Sequence, residues 1–347
     1  MIRTGSRSNR RQFDVRNLLL SYGFAIVMGV VFVGLSFGTP NFLKITNIMN
    51  MLHAAVSMVI LRLGLALVIM TRNLDISVGS VAFISATIGS VLMVHYGVSP
   101  PVAVLFILLS GLGFGAMNGF IVVVLRVNSF IATLGTMIAL RGVALQVLRG
   151  RVVSMPDSIR VFGNVTMGPV FVDILISLVI VFFVHFVHSR TRFGRYLMAI
   201  GSEPEVAARM GIRVRWMTFG AFVLSGFFAS LGGIFTMLQL GVVTLRMGLG
   251  LEFTAIAAVV IGGISLFGGR GSIIPGLLLG VYTLGIIENG LNHLGASPYV
   301  YPFVRGGLIF IAMYADSLRS RVKTTVEVLT EENPSLLEVR AGGRSKD

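Results

Sequence analysis

Long uninterrupted apolar runs constrain this chain more than any other feature of its sequence. Runs such as MLHAAVSMVILRLGLALVIM, residues 51–70, approach or exceed the ~18 residues that a helix needs to cross the hydrocarbon core of a bilayer. Every backbone polar group must be hydrogen-bonded within the protein in that environment, so such runs fold as helices. Because the runs are continuous, they do not fit the alternating pattern of a transmembrane barrel. The sequence therefore predicts an all-α polytopic membrane protein.

The composition agrees, because charged residues make up only 12% of the chain, against about 25% in soluble domains. Ten transmembrane spans are predicted: 18–37, 51–70, 77–96, 101–125, 130–148, 168–188, 217–240, 253–267, 273–293 and 300–316. We expect 130–148, which carries polar residues, and 253–267, which is short, to be broken or re-entrant. Residues 1–17 are predicted to be a basic leader, residues 18–316 the membrane domain and residues 317–347 a polar tail.

The distribution of basic residues predicts the orientation of these spans. The chain has 28 lysines and arginines and a net charge of +14, which in a soluble protein would suggest binding to nucleic acid. In a membrane protein, basic residues instead collect on the cytoplasmic side. With the N-terminus inside, 20 of the 28 fall on inner segments and five on outer ones. We therefore expect both termini in the cytoplasm, a lipid bilayer around the spans and no nucleic-acid partner.

A polar break, TRNLDISVGS (71–80), separates the second and third spans. Asp75 is well placed to cap a helix that begins near Ser77, because its carboxylate can accept from free N–H groups of the first turn. The break is either a capped turn at the inner side or a broken helix that lines a polar cavity, as in transporters. The polar residues expected to face a pathway are Arg62, Asn73, Asp75, Ser77, Asn118, Thr133 and Thr136.

A weak internal similarity suggests two related halves. Residues 78–93 and 270–285 each follow a polar break and open a long apolar segment with Gly-Ser. Repeats of this kind are common in transporters.

Charged residues inside spans are expected to be paired, since a guanidinium at the bilayer centre costs ~3 kcal/mol on insertion scales. Glu288 and Arg305 stand at similar depth on consecutive spans, and we predict that they are neighbours. Arg141 and Asp173 are predicted to pair in the same way. Arg62 has no obvious mate. It is either tied to backbone carbonyls between helices or faces the pathway, where it meets hydroxyls or an acidic group of a ligand.

Several kinds of chemistry have no support in the sequence. None of the three lysines follows a glycine-rich loop, so the chain does not hold ATP in the P-loop manner. There is no cysteine, and the five histidines lack the spacing of a metal site. We expect no catalytic residue, no metal and no cofactor in this chain.

The largest polar segment between spans is 189–216, SRTRFGRYLMAIGSEPEVAARMGIRVRW. It predicts two short helices, with Ser202 as the cap of the second and Gly211 at its end. Such a hairpin is either a solvated connector or a docking element for a cytoplasmic partner.

Five blocks together resemble one family: MTRNLDISVGS (70–80), NSFIATLGTMIALRGVAL (128–145), TRFGRYLMAIGSEPEVAARMGI (191–212), AIAAVVIGGISLFGGRGSIIPGLLLG (255–280) and ENGLNHLGASPY (288–299). They are similar to permease subunits of ABC importers for ribose, xylose, rhamnose, autoinducer-2 and related carbohydrates. The similarity runs from about residue 20 to residue 318 in the same order. It implies a permease of the cell inner membrane that imports a monosaccharide or related carbohydrate by alternating access.

The resemblance also implies partners. They are a second permease, which makes a homo- or heterodimer, a cytoplasmic ABC ATPase that binds ATP and Mg²⁺, and a periplasmic sugar-binding protein. The hairpin at 191–212 would then be the loop that couples to the ATPase. Its implied contact residues are Gly194, Arg195, Gly201, Glu205, Ala207, Ala208 and Gly211.

The sequence departs from the family pattern in places and leaves alternatives open. It has RNLDISVG where the family usually has GGIDLSVG, and its NGLN block leans toward ribose-type members, so the substrate stays open. Arg62 stands where the family usually has a small or apolar residue. One alternative is an ion-coupled secondary transporter, which predicts buried acidic relays, although only Asp173 and Glu288 lie inside predicted spans, with Asp316 at the very end of the last one. Another is a branched-chain amino-acid permease of an ABC importer.

Overall fold

The computed structural model describes residues 15–297, 299–311 and 313–314, so most of the predicted leader and the whole predicted tail lie outside the described residues. The helices are α1 Val15–Gly38, α2 Ile45–Met70, α3 Val78–Tyr96, α4 Pro100–Gly119, α5 Ser129–Leu148, α6 Asp157–Arg160, α7 Val172–Arg190, α8 Arg192–Ser202, α9 Pro204–Arg209, α10 Val214–Leu240, α11 Leu251–Ile261, α12 Leu278–His293 and α13 Val300–Ile311. A π-helical turn, Phe120–Val124, extends α4, and another, Ile273–Leu277, precedes α12.

Four two-residue strands form the only sheet structure in the described part of the chain. Strand β1 (Val153–Ser154) pairs antiparallel with β4 (Val242–Val243), and β2 (Thr166–Met167) pairs antiparallel with β3 (Val170–Phe171). A short 3₁₀ turn, Val161–Asn164, follows α6.

Seven of the described helices are long and apolar enough to cross a membrane. Three shorter apolar helices add to them, namely Met28–Gly38 within α1, Leu251–Ile261 and Val300–Ile311. Together they correspond to the ten predicted spans. The protein is an all-α polytopic membrane protein, as the sequence predicts.

The two spans expected to be broken behave differently. The expectation is wrong for 130–148, because α5 runs without interruption from Ser129 to Leu148. Its threonines bond to carbonyls of their own helix, Thr133 to Ser129 (2.7 Å) and Thr136 to Thr133 (3.1 Å), so they do not break it. The other expectation is confirmed, because α11 ends at Ile261 and a glycine-rich segment, 262–272, follows.

Helix α10 lies at the centre of the bundle and packs against α2, α3 and α4. Small residues let these backbones approach closely, as is common between membrane helices. A Cβ on Gly226 of α10 would collide with the carbonyl oxygen of Gly111 on α4. On its other side α10 meets α2, whose residues from Ala55 to Met70 are nearly all buried.

The connections group at two ends of the bundle. Gly269 N–H donates to the carbonyl of Met70 (3.2 Å), and the Ser202 hydroxyl donates to the carbonyl of Gly269 (3.5 Å). The polar break, the 189–216 hairpin and the glycine-rich segment therefore meet at one end. All three are predicted to be cytoplasmic. The β1–β4 pair joins two predicted outer connections at the opposite end. The grouping agrees with the predicted topology, while its orientation in a membrane and the related halves stay predictions.

Candidate functional site

The polar break between α2 and α3 folds inward instead of lying on the surface. Asp75 is 1% exposed and Ser77 is fully buried. One carboxylate oxygen of Asp75 accepts from the backbone N–H (3.0 Å) and the hydroxyl (2.6 Å) of Ser77. The other accepts from the hydroxyl of Ser225 (2.7 Å), which lies well inside α10. Asp75 therefore stands at the start of α3 as predicted, but its carboxylate accepts from the N-cap residue Ser77 and not from the first turn of the helix. The same carboxylate ties the break to the central helix.

Neighbouring helices complete this network. Asn118 of α4 donates to the Ser77 hydroxyl (2.7 Å), and the N–H of Ile76 donates to the Thr133 hydroxyl (3.1 Å) on α5. Asn73 bonds locally to Thr71 (2.9 Å). The structure thus brings Asp75, Ser77, Asn118 and Thr133 together. Most of their side-chain polar atoms are hydrogen-bonded within the protein, although Oδ1 of Asn118 has no partner among the described residues. Bonds of this kind between four segments are the arrangement of a rigid scaffold.

Arg62, the remaining pathway candidate, lies apart from this network in a separate polar cavity. The cavity has a volume of about 360 Å³ and is enclosed by α2, α12, α13 and the first turn of α11. Its polar and charged lining residues are Asn50, Arg62, Thr254, Glu288, Asn289, Asn292, Tyr301 and Arg305. Small-molecule sites fall in the range of about 300–1,000 Å³, so the cavity has the size of a site for a small ligand.

The cavity deepens from a polar rim to a charged floor. Asn50, Ala54, Met58 and Arg62 follow one face of α2 at intervals of one turn and line it throughout. From Asn50 to Arg62 the face extends roughly 18 Å at 1.5 Å per residue. Asn50 is exposed, whereas Arg62 is 2% exposed. A solute that enters past the amides would therefore reach a buried guanidinium.

The charged floor contains the predicted Glu288–Arg305 pair. Arg305 Nε donates to Glu288 Oε1 at 2.7 Å, across the hairpin formed by α12 and α13. Both side chains are about a third exposed. Nη1 of Arg62 is buried and has no hydrogen-bond partner among the described residues.

The predicted pairing of Arg141 with Asp173 is wrong. Asp173 begins α7, which packs on α2, so its carboxylate meets His53 (2.8 Å) and accepts from the amide of Gln239 (2.8 Å). Arg141 lies on α5 beside α3, where it donates to the carbonyl of Met247 (3.3 Å) and lies over the ring of Phe83.

Two buried polar residues escaped the sequence interpretation. Ser225 lies in an apolar helix, and nothing local marks it as the partner of Asp75. Glu252 is 5% exposed at the start of α11, but the predicted span begins one residue later and so excluded it. A carboxylate directly before an apolar run is the signal that could have found it.

The hairpin formed by α8 and α9 divides the implied coupling residues into two sets. Gly194, Gly201 and Ala207 are buried against the chain itself, and Gly201 approaches the carbonyl of Met70. The set that faces outward is Arg195, Glu205, Ala208 and Gly211. Nearby Met210 is 75% exposed and Trp216 is 70% exposed.

Of the two predicted ends of α9, the C-terminal one is confirmed and the N-terminal one is wrong. Gly211 has a φ of +83° and its N–H donates to the carbonyl of Ala208 (3.0 Å), so it ends α9 as predicted. Ser202 does not cap α9, because it is the last residue of α8 and its hydroxyl reaches the carbonyl of Gly269.

A family model described as "Branched-chain amino acid transport system / permease component" matches residues 47–313. The ribose import permease protein of Escherichia coli strain K12 is 35% identical over 90% of this chain and 98% of its own length. The galactose/methyl galactoside import permease protein of Salmonella typhimurium strain LT2 is 32% identical over 86% of this chain and 94% of its own.

A third relative is the autoinducer 2 import system permease protein of Escherichia coli O9:H4 strain HS. It is 33% identical over 87% of this chain and 87% of its own length. No solved structure matches the chain.

Proposed function

This chain belongs to the family of ABC-importer permeases described as branched-chain amino acid transport system / permease component, and from that premise we propose that its cargo is a monosaccharide or related small carbohydrate. The observation that carries the proposal is the 35% identity with a ribose import permease over 98% of that protein. The relatives named above carry ribose, galactose or autoinducer-2 in their names. They do not favour a branched-chain amino acid, although the family description mentions one.

The protein is a multi-pass membrane protein, and its family membership supports a place in the cell inner membrane. As an importer permease it is the transport subunit and not an enzyme. Its proposed partners are a second permease copy or homologue, a cytoplasmic ABC ATPase that binds ATP and Mg²⁺, and a periplasmic sugar-binding protein.

The polar cavity supplies a pathway for such a cargo. Its amides, hydroxyls and guanidiniums can form hydrogen bonds with sugar hydroxyls in place of their bonds with water. Because Asn50 and Asn292 stand at its exposed rim, a carbohydrate delivered there would pass along α2 toward Arg62. Contacts with a few polar groups are weak enough for release, since the binding protein supplies the affinity.

The α8–α9 hairpin is the proposed link to the motor. In this mechanism ATP closes the ATPase dimer, the hairpins move with it, and the helices tilt so that the pathway opens alternately to each side. The Asp75 network would keep the α3 end fixed to α10 during that movement, because its bonds join α3, α4, α5 and α10.

Uptake in cells tests this function. The chain is expressed with a candidate ABC ATPase and a candidate periplasmic sugar-binding protein from the same organism, in a strain that lacks other transporters for the tested sugars. We expect uptake of at least one radiolabelled pentose, hexose or sugar derivative. Replacing the P-loop lysine of the ATPase with alanine should abolish it, since that lysine holds the nucleotide phosphates.

Two outcomes contradict the proposal. Uptake of leucine, isoleucine and valine without any carbohydrate would refute the cargo. Uptake that survives loss of the ATPase but stops with a protonophore would instead identify an ion-coupled transporter. The same assay therefore separates the proposed function from both alternatives.

A further inference from the structure

The cavity floor carries an excess positive charge. Arg62, Glu288 and Arg305 all line it, and Glu288 is already paired with Arg305. Two guanidiniums thus face one carboxylate. Nη1 of Arg62 is buried without a partner among the described residues, while the whole residue is 2% exposed.

The other buried carboxylates of the described residues lie outside the cavity and accept hydrogen bonds there. Asp173 bonds to His53 and Gln239, and Asp75 bonds to Ser77 and Ser225. Glu252 lies beside Gly79 and accepts from the N–H of Gly250 (3.3 Å). None of them lines the cavity. Among the described residues, Glu288 is the carboxylate that attracts Arg62, and it is shared with Arg305, so the floor keeps one guanidinium charge in excess.

Because two guanidiniums share one carboxylate, one buried positive charge of the floor has no counter-charge in the described chain. A buried excess charge is unfavourable, so the floor favours a partner that enters from outside. A sugar hydroxyl would accept a hydrogen bond and leave the charge in place. A carboxylate or phosphate would accept two parallel N–H bonds from the planar guanidinium and also neutralise it. The geometry thus favours an anionic ligand over a neutral one.

We propose that the cavity binds a carbohydrate that carries one anionic group, either a carboxylate or a phosphate, and that Arg62 receives this group. The inference rests on the proposed function and specifies its substrate class. Asn50, Asn292 and Tyr301 stand nearer the rim, where they can meet the sugar hydroxyls. The bond between Glu288 and Arg305 fixes the second guanidinium on the same floor.

Charge-selective labelling tests this proposal without any partner protein. The chain contains no cysteine, so Met58→Cys places a single thiol in the cavity, one turn from Arg62. A Val206→Cys chain, with its thiol on the exposed hairpin, is the control. Each purified chain is reacted with an anionic and with a cationic methanethiosulfonate reagent. We expect the ratio of the anionic to the cationic rate to be on the order of fivefold higher for Met58→Cys than for Val206→Cys.

Variants at Arg62 in the Met58→Cys chain then test whether Arg62 causes the preference for the anionic reagent. Arg62→Gln should abolish it, and Arg62→Lys should retain it, since lysine keeps the charge. Equal rate ratios for Met58→Cys and Val206→Cys in the chain with Arg62 would overturn the proposal, because the floor would then already be neutral. This result does not depend on the folding of any Arg62 variant.

Protection from labelling identifies the anionic group. D-galacturonate, D-ribose 5-phosphate, D-galactose and D-ribose are each added before labelling of the Met58→Cys chain. We expect one of the acidic sugars, and neither neutral sugar, to slow the reaction. Protection by galacturonate alone would identify a carboxylate, and protection by the sugar phosphate alone a phosphate.

Three further results would refute the inference and would still distinguish its failure from failure of the proposed function. Equal protection by neutral and acidic sugars would refute the anionic class but keep carbohydrate transport. Absence of protection by every sugar would refute the site. ATPase-dependent uptake of a neutral sugar that is undiminished in both Arg62→Gln and Arg62→Lys would likewise refute the inference while the proposed function stands.

Discussion

At the residue scale, the polar break between α2 and α3 depends on one carboxylate. Asp75 accepts three hydrogen bonds, two from Ser77 and one from Ser225, and it is 1% exposed. A charged acceptor strengthens each of these bonds relative to a neutral one. Asn73, only two residues earlier, is half-buried and its side chain bonds only to Thr71.

We expect Asp75→Ala to lower the free energy of unfolding by about 2–4 kcal/mol, because it leaves buried hydroxyl and N–H donors without an acceptor. Asn73→Ala is the matched control in the same segment and should cost less than about 1 kcal/mol. Thermal unfolding of the purified variants in detergent measures the difference. Equal midpoints for the two variants would show that the network does not stabilise the fold.

Sequence reasoning located the local half of this network but not the distant half. The bond from the Ser77 N–H to the Asp75 carboxylate joins residues only two apart in the chain, so it follows from local geometry. The bond to Ser225 crosses to another helix, and spacing along the chain does not specify which helices are neighbours. The same limit separates the two predicted ion pairs. Glu288 and Arg305 lie on helices joined by a short turn and do meet, whereas Asp173 turned toward α2.

At the element scale, continuity of a helix depends on where its polar groups find partners. The threonines of α5 bond to carbonyls one turn back, and the helix continues through them. Helix α11 carries few polar residues and still ends at Ile261, because glycines follow and Gly263 has a φ of +85°. Polarity alone therefore misidentified one broken span, and short length identified the other. The glycines after Ile261 give the physical reason for that break.

Close packing of α10 on α4 gives the second prediction, which belongs to the element scale. A Cβ on Gly226 would meet the backbone of Gly111 and Gly115, whereas a Cβ on Gly220 has nothing within 4 Å. We expect Gly226→Ala to destabilise the protein by about 1–3 kcal/mol, as overpacking does. Gly220→Ala, on the same helix, should stabilise it by up to about 1 kcal/mol, because alanine favours the helix.

Thermal unfolding of both glycine variants checks this prediction. A higher midpoint for Gly220→Ala than for Gly226→Ala is the expected order. The reverse order would mean that α4 and α10 do not approach as closely as the structure shows.

The α8–α9 hairpin gives a third prediction. Ala208 is exposed, whereas its neighbour Ala207 is 2% exposed against the hairpin itself. If the outer face receives the ATPase, Ala208→Arg should strongly reduce uptake and copurification of the ATPase without changing the thermal midpoint. Ala207→Arg should lower the midpoint as well, because it buries an unpaired charge.

The control for this prediction is Ser154→Arg, an exposed position at the opposite end of the bundle. It should leave ATPase copurification intact. Full ATPase binding by Ala208→Arg would exclude this face of the hairpin from the docking surface.

At the scale of the whole molecule, the sequence predicted the class and the grouping of the connections but not the cavity. Apolar run length is a property of each segment, so the all-α polytopic fold was accessible from the sequence. The cavity needs α2, α12 and α13 side by side, and α2 is far from the other two along the chain. Spacing along the chain therefore does not predict that Arg62 shares a cavity with Glu288 and Arg305.

Orientation in the membrane is the last prediction, and it belongs to the whole molecule because every mechanistic step depends on it. The hairpin residue Val206 and the β1 residue Ser154 are both exposed, at opposite ends of the bundle. The excess of basic residues on the hairpin end predicts that this end lies in the cytoplasm. In the cysteine-free chain, Ser154→Cys should react with a membrane-impermeant maleimide in cells whose outer membrane alone is permeabilised. Val206→Cys should react only after the inner membrane is also opened. Labelling of the Val206→Cys chain in the first condition would invert the topology, and the hairpin could not then receive a cytoplasmic ATPase.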